Sequence, residues 1–404
     1  MENKHTMSDL YQMQSLPLSA KMSMTARRIN EWVNEFGEDG VYLSFSGGKD
    51  STVLGHIIRE VCGYKNIPFV FVDVPTQYPE LKQFAMTFDN LVILKPKISF
   101  AEVCEKYGFP LISKEVSNCV SGARKYLKYL DNKKNANTIL TDRQTDRQTD
   151  RQTVPYACYM ADLLGIDRRI NKQNEQYKSL QMGVIPSGSE YRLRRLNGEL
   201  TDSNGNYSQF NQERYKFFLD APFEISDLCC DIMKKKPAHE YAKKTGRKPM
   251  TATMATESKL RASNWIKHGC NAFESKHPIS NPMSFWTEQD VLLYIKENNL
   301  PICSVYGDVV TDYEAMGQCE NQMSFADFGI FDKGRPLLKT TGCKRTGCVL
   351  CGFGCHLEKE SRFLRLKETH PKFHNLLYIL KNNGVTYAEA IDWVNEHGNM
   401  NIKY

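Results

Sequence analysis

The sequence predicts an α/β protein built on a doubly wound, mostly parallel sheet, with an inserted basic, partly disordered segment and a Cys-rich, helical C-terminal region. Three observations predict it. A strand, a glycine turn and a helix start follow one another within Val41–Ser51, VYLSFSGGKDS. Continuous apolar runs at 67–74 (IPFVFVDV) and 91–94 (LVIL) have the composition of strands buried on both faces. Helical periodicities alternate with these runs, as crossover connections between parallel strands require.

The elements follow in order. Residues 18–36 read as an amphipathic helix, with Met22, Ala26, Ile29, Trp32, Val33 and Phe36 near helical spacing. The first strand then runs into Ser46-Gly47-Gly48-Lys49-Asp50-Ser51, and Thr52 onward reads as helix. The second strand ends at Asp73, before Pro75 and the turn Gln77–Leu81. The third precedes a helix around 99–107. From about 124 to 212 the pattern dissolves, and Thr-Asp-Arg-Gln occurs three times in succession over 141–152. A tetrapeptide repeat without apolar residues cannot bury a core and reads as solvated loop or frayed helix. The same insertion carries Arg124, Lys125, Lys128, Arg168, Arg169, Arg192, Arg194 and Arg195. Such a set is either a solvated face or a holder of a polyanion. Further on, 214–219 (RYKFFL) reads as a strand, 250–255 as a short strand, and 286–295 as a helix with Thr287 at its N-cap and Asp290 three residues on. Residues 303–332 carry no reading. Three short amphipathic helices close the chain after the cysteine group.

Composition narrows the classes. The 404-residue chain is 41% hydrophobic and 25% charged, as in ordinary globular proteins, and its net charge of +6 permits an anionic ligand without demanding nucleic acid. No run of about 18 apolar residues occurs, and MENKHTMSDL lacks an apolar signal core, so a cytoplasmic location and no membrane association are expected. The 13 cysteines are the outlier. In a protein of this kind they point to metal binding or redox chemistry before disulfides.

A glycine turn between a strand and a helix N-terminus is a means of building an anion site from backbone. Unpaired N–H groups and the positive end of the helix dipole converge, and two glycines allow close approach. Ser46, Ser51 and Lys49 add hydroxyl and ammonium donors. The P-loop pattern with its Gly-Lys-Ser/Thr ending is missing. The bland reading is a turn between core elements, but SGGKDS resembles the PP-loop of the ATP-pyrophosphatase, or adenine nucleotide alpha hydrolase, superfamily.

Taken together, SGGKDS, Asp73 with Tyr78-Pro79-Glu80, Cys229-Cys230 before Lys234-Lys235-Lys236-Pro237, Glu257-Ser258…Arg261, and 282–295 resemble the PAPS reductase family over roughly 38–120 and 214–305. That resemblance implies that Ser46, Gly47, Gly48, Lys49, Asp50 and Ser51 hold phosphate or sulfate oxygens of ATP or a sulfonucleotide. It places Asp73 by the adenosine and makes Arg261 a second anion contact, with Lys49, Asp50 and Arg261 as the residues closest to the chemistry. Magnesium would accompany a triphosphate. Arg261 also reads as a helix-surface ion pair with Glu257 at i, i+4.

Four thiolates suit either an iron–sulfur cluster or a zinc site. Two sets are available: the local Cys343, Cys348, Cys351, Cys355, and Cys229-Cys230 joined to Cys348-x-x-Cys351. The second set resembles the 4Fe-4S arrangement of adenylyl-sulfate reductases, which implies Cys229, Cys230, Cys348 and Cys351 as cluster ligands. One departure stands out. Those reductases end in a mobile tail with a nucleophilic cysteine, and no cysteine follows Cys355 here. The expected activity is therefore sulfur transfer: adenylation with pyrophosphate release, then thiolation of an acceptor such as DNA or tRNA. The alternatives are a reductase that uses a thioredoxin-like reductant with Cys343 or Cys355 as nucleophile, and a non-catalytic nucleotide sensor with structural zinc. The expected organisation is an N-terminal helical segment (1–39), a nucleotide-binding domain (40–305, with the insertion at about 124–212), and a Cys-rich metal-binding and helical region (306–404).

Overall fold

The computed structural model describes residues 3–145, 188–313, 315 and 337–404. The chain divides into two compact units: 1–100 with 230–349, and 101–229 with 350–404.

The first unit holds a six-stranded sheet. Its strands are β1 (Val41–Phe45), β2 (Phe69–Val72), β3 (Leu91–Leu94), β4 (Lys248–Met250), β5 (Asn271–Ala272) and β6 (Ile279–Ser280), in spatial order β3-β2-β1-β4-β6-β5. All neighbours run parallel except the edge pair β5–β6, so the doubly wound, mostly parallel sheet is as expected. Register is set by apolar partners: Leu43 stands opposite Phe69 on one side and Met250 on the other. The chain winds outward from β1 through β2 to β3, then returns to place β4 on the other flank of β1. This reversal opens a crevice beyond the carboxyl ends of β1 and β4, where open α/β sheets bind ligands.

Helices cover the sheet. Leu18–Phe36 (α1) buries Ile29, Trp32 and Val33 in a core shared with Leu43, Phe45, Phe69 and Phe71. The helix after the glycine turn, Lys49–His56 (α2), starts three residues before the apolar run, because the turn itself supplies its N-cap. The helix α3 (Glu288–Glu297) has the expected Thr287 N-cap and a full capping box with Asp290. Asp290 also pairs with Lys21 at 2.5 Å, and both side chains are almost wholly buried. That pair ties α3 to α1 and fixes the direction in which Glu288 leaves the helix start.

In the second unit, the helix Lys114–Thr145 packs on Ser189–Leu196, and Leu111–Ile112 pairs in parallel with Gly352–Phe353. The segment expected as a strand at 214–219 is a 3₁₀ helix, Glu213–Asp220. Tyr215 and Phe218 are the residues it buries, a spacing of three that matches a 3₁₀ turn and not a strand's alternation. Part of the basic insertion is committed to structure: Arg124 donates to the carbonyls of Ala221 and Phe223, and Arg195 pairs with Glu115 at 2.5 Å. The repeat begins inside the helix ending at Thr145; its remainder, with Arg168 and Arg169, lies outside the described residues. Four short helical pieces follow the cysteine group: Arg362–Thr369, Pro371–His374, Asn375–Tyr378 and Tyr387–Gly398. Among the described residues no helix is long and apolar enough to cross a membrane.

Candidate functional site

Between Phe45 and Lys49 the chain must turn within three residues. Gly47 makes this possible: its φ is +70°, and a Cβ there would lie 2.8 Å from the Leu81 carbonyl oxygen. The serines fasten the turn. Ser51 Oγ accepts from the Ser46 N–H at 3.3 Å and donates to the Gly48 carbonyl at 2.9 Å, while Ser46 Oγ accepts from the Gly48 N–H at 3.2 Å.

Above this loop lies a cavity of about 120 Å³ at the switch point of the sheet. Ser46, Gly48, Lys49 and Asp50 line it from beyond β1, and Met254 and Glu257 from beyond β4. The start of α3 contributes Glu288, and a strap of chain at 341–349 contributes Arg345 and Thr346 beside Tyr306. The strap is pinned along its length. Gly342 N–H donates to the Tyr306 carbonyl at 2.8 Å, Cys343 N–H to Val305 at 2.8 Å, and Val349 N–H to Thr76 at 2.7 Å.

Lys49 is buried, at 3% side-chain exposure, yet fully engaged. Its Nζ donates to the Lys344 carbonyl at 3.0 Å and pairs with Glu288 at 3.1 Å. Its backbone N–H donates to the Tyr306 hydroxyl at 3.3 Å, which is itself 2.6 Å from Thr346 Oγ1. Burial pushes the Tyr306 phenol up to about 12, so this hydroxyl stays protonated. Asp50 holds a buried Oδ1 without a hydrogen bond. Burial raises its carboxyl above the usual range; Lys49 opposes the shift and Glu288 adds to it. Glu257 accepts from the Met254 N–H at 3.1 Å, forms an ion pair with Arg261, and lies 3.7 Å from Arg345. Burial, then the adjacent Arg345 guanidinium, hold the Arg261 pKa below its ordinary value.

The arrangement is an anion-sized space whose cations and helix-start donor are occupied by the protein's own groups. It places Ser46, Gly48, Lys49 and Asp50 at the cavity, with Gly47 and Ser51 shaping the turn beneath. Arg261 forms the i, i+4 pair with Glu257 and stands one residue back from the cavity. Asp73 lies just past β2 and pairs with Lys82 at 2.7 Å. It is not among the residues lining the space.

The cysteines divide between the units. Cys230, Cys343 and Cys348 belong to the first, and Cys343 Sγ donates to the Tyr78 hydroxyl at 3.7 Å. Cys229, Cys351 and Cys355 belong to the second, where with Cys104 they all act on the fully buried Tyr387 phenol. Cys355 Sγ donates to the Gly352 carbonyl at 2.8 Å, and burial pushes its thiol up to about 12. Among the described residues no three His, Cys, Asp or Glu side chains stand together in metal-binding geometry.

Sequence reasoning missed Tyr306, Glu288 and Thr346. Tyr306 lies in a stretch with no periodicity to read. Glu288 looked like any acidic residue in a helix's first turn.

The model of the phosphoadenosine phosphosulfate (PAPS) reductase domain matches residues 40–158 and 189–352. The chain belongs to the PAPS reductase family. The Ser46–Ser51 loop lies within the matched residues, at the switch point of the parallel sheet. Among solved structures, the chain is similar to the phosphate complex of phosphoadenylyl-sulfate reductase from Candida auris. The identity is 14% and the TM-score 0.31, over 69% of this chain and 82% of that one. No curated protein sequence matches it.

Proposed function

We propose that the chain binds the anionic end of an adenine nucleotide at Ser46–Ser51 and acts in sulfur transfer. The observation that carries this reading is the cavity itself: a glycine turn at a helix start, a buried lysine and two arginines gather at the switch point of a family sheet. In this reading the acceptor attacks the α-phosphorus of ATP, supplied with magnesium, and pyrophosphate leaves. A sulfur nucleophile then displaces AMP. Lys49 and the loop donors carry the charge that builds on the departing oxygens. Asp50, whose carboxyl burial holds above its usual range, stands beside them.

For the cofactor, the pairing of Cys229-Cys230 with Cys348-x-x-Cys351 is the basis for proposing a 4Fe-4S cluster on those four residues. Four soft thiolate donors fit such a group. When bound, the cluster would supply electrons or sulfur-handling chemistry. The site residues would hold the nucleotide whether or not it is present.

The second reading is a thiol-dependent reductase of phosphoadenylyl or adenylyl sulfate working with a thioredoxin-like reductant, and the family match favours it. The nucleophile counts against it. Cys355 is a buried, protonated thiol, a poor attacking group. The deciding experiment uses full-length protein purified without oxygen. Pyrophosphate release from ATP with DNA, tRNA or a small acceptor supports sulfur transfer. Sulfite release from adenylyl sulfate with thioredoxin supports the reductase. Zinc in a colourless protein with neither activity supports a nucleotide-sensing role.

A further inference from the structure

The Cys-rich strap brings Arg345, one of several basic residues around the cysteine group, to the cavity above the Ser46–Ser51 loop. We propose that Arg345 is an anion-binding residue that forms, with Arg261, a second anion subsite. Glu257 holds this subsite in reserve until a ligand with two anionic groups enters.

Three observations carry it. The strap is fastened by main-chain hydrogen bonds at Gly342, Cys343 and Val349, so the position of Arg345 is built into the fold. Two guanidiniums converge on one carboxylate at Glu257, with Asp50 as the next acidic group acting on both. The Arg345 contact is also the loose one: 3.7 Å, with 62% of the side chain exposed. An exposed ion pair of this kind is weak, because water screens it. A charge-assisted, bidentate bond to a phosphate or sulfate is shorter and roughly twice as strong as a neutral one. A phosphate or sulfate that reaches Arg345 at hydrogen-bond distance would replace this 3.7 Å contact with a closer one. Lys49 cannot meet the second charge as well, since Glu288 and the Lys344 carbonyl already position it at the loop.

The proposal rests on the cavity being the nucleotide site, and the test separates the two. Binding of AMP, ATP and inorganic pyrophosphate to the full-length protein is measured by calorimetry for wild type, Arg345→Ala and Glu257→Gln. Gln keeps an acceptor for the Met254 N–H while removing the charge. Arg345→Ala is expected to weaken ATP and pyrophosphate about tenfold, the scale of one lost charge-assisted bond, and AMP less than about twofold. Glu257→Gln is expected to tighten ATP and pyrophosphate. Unchanged ATP binding in Arg345→Ala overturns the subsite and leaves the nucleotide reading intact, and so does an equal loss for AMP. Arg345-dependent binding of pyrophosphate with no binding of any adenine nucleotide leaves the subsite standing and overturns the nucleotide reading. No binding of any of the three overturns both.

Discussion

Two stretches line the same cavity and are held in place by different means. The loop Ser46–Ser51 is held locally. Its hydroxyls bond to its own backbone, and Gly47 adopts a conformation that few other residues tolerate. The strap 341–349 has no element of its own at its middle. It is held by carbonyls of Val305, Tyr306 and Thr76, residues remote from it in the chain. The loop thus offers donors wherever it folds, whereas the strap's contribution depends on the surrounding framework. The difference separates a loop fixed by its own hydrogen bonds from a strap fixed by the surrounding chain.

The largest test of this contrast attacks the framework. Lys21→Met removes one partner of the buried Lys21–Asp290 pair at the start of α3, and is expected to cost about 3–5 kcal/mol in chemical denaturation. A loss below about 1 kcal/mol would mean that the buried α1–α3 pair does not hold the framework together. Next comes the loop. Gly47→Ala forces a side chain into positive φ and against the Leu81 carbonyl, a cost of about 1–3 kcal/mol. Sulfate or phosphate affinity should fall with it; unchanged affinity would show that the turn does not form the grip. The junction between loop and strap is milder. Tyr306→Phe removes the hydroxyl shared by the Lys49 N–H and Thr346, and should lower stability by about 1 kcal/mol. It also clears the helix-start donor, so phosphate affinity should hold or rise, and a fall would make the hydroxyl part of the anion site.

The smallest effect is in pH. Asp50 has a raised carboxyl pKa from burial, with Lys49, Glu288, Arg345 and Arg261 around it. As pH falls through that raised value the carboxylate becomes neutral and a repulsive charge leaves the cavity. Sulfate, whose own charge is constant over this range, should therefore bind more tightly at the acid end. Asp50→Asn should bind it more tightly at neutral pH and flatten that part of the profile. A mutant profile as steep as the wild type would assign the titration elsewhere.

The fold was largely legible in the chain. Apolar runs at 67–74 and 91–94, the SGGKDS turn and the Thr287 capping box each encode their structure in neighbouring residues, so β1–β3, the phosphate loop and the start of α3 could be placed from pattern alone. The reading failed at 214–219, where an aromatic-rich run is a 3₁₀ helix because burial falls at Tyr215 and Phe218. In the site, Lys49, Asp50 and the serines were readable because they belong to one contiguous motif, whose serines bond within the loop itself. Tyr306, Glu288, Thr346 and the partnership of Glu257 with Arg345 were not. Their hydrogen bonds and ion pairs reach from 40 positions (Tyr306 to Thr346) to 257 (Tyr306 to Lys49), and no local periodicity records a pairing made by the packing of a sheet. Short-range chemistry is written in adjacent residues. The charge balance of the cavity exists only once β1, β4, α3 and the strap have been brought together, because Coulomb and hydrogen-bond energies depend on distance in space.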